Sequence, residues 1–281
     1  MNKLTIDRQA QVIKVLCEGN SIRSTARITG TSINTVVKLL KEVGAACLEY
    51  QDRNLRHLPC KRIECDEIWN FCYAKEANVP EDKKGKLGYG DVWTFVGIDA
   101  ETKLIVSWHV GWREPEDAYE FARDIKERVS NRIQLSTDGH KMYFYAVDQA
   151  FGDDIDFAMI VKHYGTPLEI QPGKYSPGTV RNVTTKKIKG NPDMTKVSTS
   201  YVERQNLSMR MSIRRFTRLT NGFSKKIENQ VYATGLYFMF YNFVRTHRTL
   251  ATPYPRTPAM AIGLSDHIWT FEELVKLAVT N

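Results

Sequence analysis

No stretch of the chain approaches the roughly 18 uncharged apolar residues that a membrane span needs. Its opening residues, MNKLTIDRQA, lack the apolar core of a secretory signal. A membrane partner is therefore not expected, and the cytoplasm is the expected location. Cysteine is scarce: Cys17, Cys47, Cys60, Cys65 and Cys72 are odd in number and include no CxxC pair. A disulfide framework does not suit that pattern in that compartment. His57, Cys60, Cys65 and Cys72 are separated by two, four and six residues. Those spacings do not make the paired knuckles of a structural zinc site, so free thiols, some in the core, are expected. There is no internal repeat.

What is present is an ordinary globular composition, 281 residues with 42% hydrophobic, enough for one sizeable core plus one or two small modules. The net charge is +8, and its placement matters more than its size. Residues 166–226 hold thirteen Lys and Arg against Glu169, Asp193 and Glu203, a net of +10, so the rest of the chain sums to −2. A basic excess confined to one region points to a track for a polyanion; a solvated charged surface is the plainer alternative.

Residues 5 to 45 predict three short helices. The first, about Asp7 to Cys17, stops at Gly19-Asn20; Ser21 caps a second through Ile28; Ser32 caps a third carrying Ile33, Val36, Val37, Leu39 and Leu40. The spacing Ala26, Gly30, Ile33, Val36 fits a helix-turn-helix, with glycine permitting the positive φ of the turn. On that expectation residues 1–48 form a DNA-binding domain whose Ser32, Asn34, Thr35 and Lys38 face the major groove. A three-helix protein-binding module is the alternative.

After a polar linker over 49–62 the pattern turns to strands at Arg62–Phe71, Val92–Ile98 and Lys103–Val110. A helix follows from about Pro115 to Val129, with Ala118, Phe121, Ile125 and Val129 as its buried stripe. Next come a strand at Ile133–Thr137, a helix at about Lys141–Phe151 and a strand at Asp156–His163. The order β-β-β-α-β-α-β with a later helix is that of an α/β, ribonuclease H-like mixed sheet flanked by helices, expected over 63–219. Gly165 to Ser198 interrupts it as an aperiodic basic insertion bearing Lys186, Lys187 and Lys189, of a length that is functional or disordered. Helices are expected from Thr199 to about Leu219, from Ser224 to Thr246 and from Phe271 to Val279, with 220–281 a helical C-terminal region. Trp69, Trp93 and Trp108 are expected in the core of the sheet.

Asp66 lies in the first strand, in CDEIW, and Asp138 ends the fourth, in STDGH. These strands are neighbours in that fold, so the two carboxylates can meet, and Glu203 on the last helix of the core can supply a third. Phosphodiester chemistry gives such acids a purpose, because two Mg²⁺ ions held by carboxylate oxygens can activate an attacking oxygen and stabilise a leaving one. Glu64, Glu67, Asp91 and Asp99 are rivals. Glu67 is the most serious, since a one-residue slip of the strand would exchange it with Asp66. His140, beside Asp138, could orient a phosphate or water or simply hold a turn.

The segments CDEIW, STDGH and STSYVERQNLSMRMSIRRFTRLTNGFSKK, with YNFVRTHRTL and TPAMA in the tail, resemble transposases of the insertion-sequence-one family, which carry an Asp-Asp-Glu triad on a ribonuclease H-like core. The resemblance spans about Cys65 to Ala261. It implies that Asp66, Asp138 and Glu203 are the catalytic metal ligands. The cofactor implied is Mg²⁺, replaceable by Mn²⁺, at two ions per active site, and Arg210 is the basic residue seven positions after the glutamate. Seven residues are two helical turns, so Arg210 can reach a phosphate near the metals. Arg214 would extend that stripe, with Arg204 fanning to another face. The chain departs from the family in opening directly on the helices, without paired cysteines.

The expected partners are double-stranded DNA, both terminal inverted repeats and target, and a second copy of the chain in a homodimer or higher homo-oligomer, on the nucleoid. Two rivals are a helix-turn-helix regulator that binds without cleaving, and a metal-dependent nuclease or resolvase that cuts without joining.

Overall fold

The computed structural model describes residues 4–164, 180–217 and 220–280. Three helices open the chain: α1 (Ile6–Cys17), α2 (Ile22–Thr29) and α3 (Ile33–Asn54). Each begins at a hydroxyl that takes an otherwise unpaired backbone N–H: Thr5 from Arg8, Ser21 from Ser24 at 3.0 Å, and Ser32 from Thr35 at 3.2 Å. Gly30, at φ +62, ends α2 in the left-handed region, which glycine enters without cost from a Cβ. The third helix is longer than its apolar pattern suggested. It continues to Asn54, into the first part of the expected linker, because Val43, Cys47 and Gln51 are buried along it.

A single mixed sheet follows, in the order β3-β2-β1-β4-β5-β6. Its strands are β1 (Arg62–Cys72), β2 (Gly90–Asp99), β3 (Ile105–Gly111), β4 (Gln134–Asp138), β5 (Asp156–Tyr164) and β6 (Val180–Lys189). β1 pairs antiparallel with β2 but parallel with β4, so the first and fourth strands lie side by side as expected. The architecture is a mixed α/β sheet with helices on it, compatible with a ribonuclease H-like arrangement. Helices α4 (Pro115–Arg128) and α5 (Met142–Phe151) cover the face of Cys65 and Glu67. Helix α6 (Ser200–Ser212) lies on the face of Glu64 and Asp66.

Two expectations over 165–219 are corrected. The insertion is not wholly aperiodic, since 180–189 form the edge strand β6, paired antiparallel with β5; residues 165–179 lie outside the described ones. Helix α6 ends at Ser212, where Ile213 turns extended (φ −116, ψ 107), and Arg214–Phe216 form a separate 3-10 turn. Arg214 therefore does not continue the helical stripe of Arg210. Leu219, the expected helix end, lies outside the described residues.

The tail comprises α7 (Ile227–Met239), running into a π-helical turn at Phe240–Val244, then α8 (Pro258–Ile262) and α9 (Phe271–Thr280). Helix α7 starts later than Ser224, whose hydroxyl is buried between Arg215 Nε (2.7 Å) and Gln230 Oε1 (3.0 Å). Asn242 pairs with both the N–H and C=O of Ile105 (2.9 and 3.0 Å), satisfying the edge strand β3 as another strand would. Gly44 of α3 lies directly on Tyr232 of α7, and Gly235 of α7 on Leu48, so the two backbones approach closely. Gln51 closes this contact by donating to Gly235 O at 2.9 Å. Tyr50 packs its ring edge on Phe243 and Trp269, and α9 packs on α1 and α3. The N-terminal helices, the tail and the sheet thus share one apolar core. All five cysteines are free and buried. Trp69, Trp93 and Trp108 are only half-buried; Trp93 supports the Arg113 guanidinium, 4.6 Å from its ring.

Candidate metal-binding active site

The last paired positions of β1 and β4 are Cys65 and Thr137. One residue further on, Asp66 and Asp138 come side by side where β4 ends. Because Asp138 is the final residue of its strand, the neighbouring β1 side chains on both faces can bend toward it. Asp66, Glu67 and Asp138 consequently bring carboxylate oxygens within 4.8 Å of one another, a cluster able to hold a metal ion.

Glu203 is not part of that cluster but lines the same open cleft of about 740 Å³, together with Lys162, Asn206 and Arg210. Its place is set from β1. Glu64 accepts the N–H groups of Tyr201 (2.7 Å) and Val202 (3.3 Å), anchoring the first turn of α6 to the strand that carries Asp66. Burial raises the Glu64 pKa against those two N–H groups. Glu203 Oε1 accepts from Thr199 at 2.5 Å and from the Lys162 ammonium on β5.

The two adjacent acids of β1 live differently. Asp66 accepts from Asn206 Nδ2 at 2.9 Å and faces the cleft. Burial first, and the charge of Asp138 second, push its pKa up to about 6. Glu67 has no exposed side-chain surface. One of its oxygens takes the Tyr143 hydroxyl; the other takes the Arg113 guanidinium, through Nε at 3.1 Å and a terminal nitrogen at 3.0 Å. Burial and then Asp138 raise its pKa to about 7, against those two donors. Arg113 also lies 3.6 Å from Asp138. His140 accepts the Met142 N–H at its Nδ1 (3.4 Å), while its backbone N–H donates to Asp138 Oδ1 (3.1 Å), which places it in the turn. Burial and Arg113 lower its pKa. Of the other rivals, Asp99 closes the β2–β3 turn by accepting from Thr102 at 2.8 and 2.7 Å.

Among the expected DNA contacts, Ser32, Asn34 and Lys38 are exposed at the start of α3 and Thr35 is half-buried beneath them. Lys38 pairs loosely with Glu42 at 3.7 Å. Lys186 and Lys187 are exposed on β6, but Lys189 is half-buried and paired with Asp148 and Asp153. Arg204 and Arg214 are exposed, and Arg210 lines the cleft. Sequence reasoning missed Arg113, Tyr143, Lys162, Thr199 and Asn206; Arg113, Tyr143 and Lys162 meet the acids only through the fold, whereas Thr199 stands one helical turn before Glu203. Asn206 carried a similar signal, standing three residues after Glu203 and so on the same side of α6.

No family model matches the chain, and no curated protein does. Among solved structures it is similar to the crystal structure of the Mos1 mariner paired end complex with Mn, at 10% identity. That likeness covers 85% of this chain and 77% of the other, with a TM-score of 0.28, too loose to carry weight for the site. No helix of the described residues is long and apolar enough to cross a membrane.

Proposed function

We propose that the chain is a DNA transposase of the Asp-Asp-Glu class. In this reading it binds the terminal inverted repeats of an insertion sequence, hydrolyses a phosphodiester to free a 3′-OH, and directs that hydroxyl at target DNA. The carrying observation is the convergence of Asp66, Asp138 and Glu203, from a strand, a strand end and a helix, on one open cleft. The resemblance of the CDEIW, STDGH and STSYVERQ segments supplies the reaction class.

The donor set fits hard divalent cations, which take oxygen ligands. Of that set, the Asp66 and Asp138 carboxylates already lie within 4.8 Å of each other, and Glu203 faces them from the wall of the same cleft. Two bound ions would supply Lewis-acid activation of the attacking oxygen and stabilisation of the leaving one. The repulsion between Asp66 and Asp138 is the electrostatic cost that a cation relieves. Asn206 fixes the Asp66 carboxylate, while Thr199 and Lys162 hold Glu203 at the wall of the cleft. Arg210, two turns from Glu203, offers its cation to a phosphate of the reacting strand. The exposed start of α3, with Ser32, Asn34, Thr35 and Lys38, is read as the major-groove reader of a helix-turn-helix. One active site for each DNA end calls for at least a homodimer.

A second reading follows from the tighter cluster, with Glu67 as the third ligand. Against it, both Glu67 oxygens are engaged by Tyr143 and Arg113, whereas no hydrogen bond reaches Glu203 Oε2 among the described residues. Titration of Mn²⁺ into Asp66→Asn, Glu203→Gln and Glu67→Gln variants separates the two. The first two should bind at least about tenfold more weakly, a scale of 1.4 kcal/mol, while Glu67→Gln mainly lowers thermal stability. Full Mn²⁺ affinity in Glu203→Gln with loss in Glu67→Gln would select the second reading.

A further inference from the structure

Away from the cleft, a groove of about 600 Å³ separates the N-terminal helices from the segment that follows α6. Four cations line it, Arg23, Arg214, Arg215 and Lys225, and none of the described residues lining it is acidic. Several arginines elsewhere stand against carboxylates: Arg53 with Glu49, Arg62 with Glu101, Arg128 with Asp124 and Arg132 with Asp156. None of the four groove cations has a carboxylate within ion-pair distance among the described residues. Arg215 donates from Nε to Ser224, a neutral partner, and burial lowers its pKa to about 10. A guanidinium drawn from water without a counter-charge is costly, and an anion in the groove offsets that cost.

The position of the groove says which anion. Ile33, the first residue of α3, stands on one wall, and Arg214 on the other, four residues after Arg210 of the catalytic cleft. A chain of phosphates running from bases read by α3 to the cleft would pass along it. The aromatic on its wall, Phe223, is packed on Phe71 with ring centroids 4.8 Å apart. That argues for contact with a backbone rather than stacking of splayed bases.

We propose that this groove seats the sugar–phosphate backbone of duplex DNA between the recognition helix and the active site, an inference that rests on the function proposed above. Each phosphate contact releases counterions, steepening the log–log salt dependence of binding by about 0.9. The test compares the intact protein with Arg23→Gln/Lys225→Gln, both exposed positions, and with the charge-matched control Arg53→Gln/Lys84→Gln. The slope for duplex DNA should flatten by roughly 2 in the first variant and stay unchanged in the control. An unchanged slope in the first variant overturns the proposal. So does weakened binding of single-stranded RNA with duplex binding intact, which would make the groove an RNA site. Metal-dependent cleavage of the same duplex is scored separately. A flattened slope without cleavage keeps the groove and removes the proposed function; cleavage with an unchanged slope does the reverse.

Discussion

Replacing Gly44 by alanine puts a methyl group where α3 meets α7. The added carbon would stand 2.7 Å from both Cβ and O of Tyr232 and 3.0 Å from its Cα, and most of those atoms are backbone or fixed to it. Ordinary carbon contacts are 3.5 to 4.0 Å, so the helices must part by about 1 Å. That movement lifts Leu48 from Gly235 and stretches the Gln51–Gly235 hydrogen bond, now 2.9 Å. Overpacking costs about 1–3 kcal/mol and a weakened buried hydrogen bond about 0.5–1.5 kcal/mol. Alanine returns about 1 kcal/mol through helix propensity. The net is destabilising by roughly 0.5–3.5 kcal/mol, which for a protein of this size lowers the melting temperature by roughly 2–4 °C per kcal/mol. Calorimetry should show the whole transition moving down together, because α3, α7 and the sheet share one core. A separate N-terminal transition, or a Gly44→Ala protein melting at or above the parent temperature, would refute the docking of α3 onto the body that holds the sheet.

Asp66 and Glu67 have pKa values raised to about 6 and about 7, so the folded state binds protons more tightly than the unfolded one. Their contribution to stability is therefore lost as pH climbs from about 4 to about 7. Melting curves should show Asp66→Asn losing less stability than the parent over that window, and parallel profiles would contradict the assignment. Arg113→Ala strips the buried Glu67 carboxylate of its cation. The loss should fall below the about 3–5 kcal/mol of a fully buried pair, because Arg113 is one-third exposed, and Glu67→Gln in the same chain should recover part of it. If the double variant is no more stable than Arg113→Ala, the two are not coupled. On β6, Lys186→Gln/Lys187→Gln should flatten the salt dependence of duplex binding, whereas Lys189→Gln, whose charge Asp148 and Asp153 already engage, should change it little. A larger effect at Lys189 would reverse the assignment.

Much of the sheet was legible because its inner strands alternate apolar residues or run apolar throughout. The second and third N-terminal helices announced themselves through Ser21, Ser32 and Gly30, and the first through its apolar positions and its stop at Gly19-Asn20. Strand β6 was hidden because it is an edge strand exposed on both faces along most of its length; VRNVTTKKIK carries no buried stripe, and its pairing rests on backbone groups. The end of α6 was hidden because MSIRRF keeps helical apolar spacing beyond the point where Ile213 leaves the helix. The meeting of Asp66 with Asp138 followed from strand order. That Glu67 would lie as close could not be read from alternation, which sends adjacent residues to opposite faces. It needs the ending of β4 at Asp138. Lys162 and Glu203 lie 41 residues apart, and no local pattern joins them.

The most direct measurement is strand transfer by the full chain, with a duplex bearing a pre-cleaved 3′-OH at a repeat end and a supercoiled target, in Mg²⁺ or Mn²⁺. The account predicts joined products for the parent protein and for Lys189→Gln. It predicts none for Asp66→Asn, Asp138→Asn or Glu203→Gln, although all three still bind the duplex. Joining that survives in Glu203→Gln, or a parent protein that binds the repeat end yet never joins it with either metal, would contradict the account.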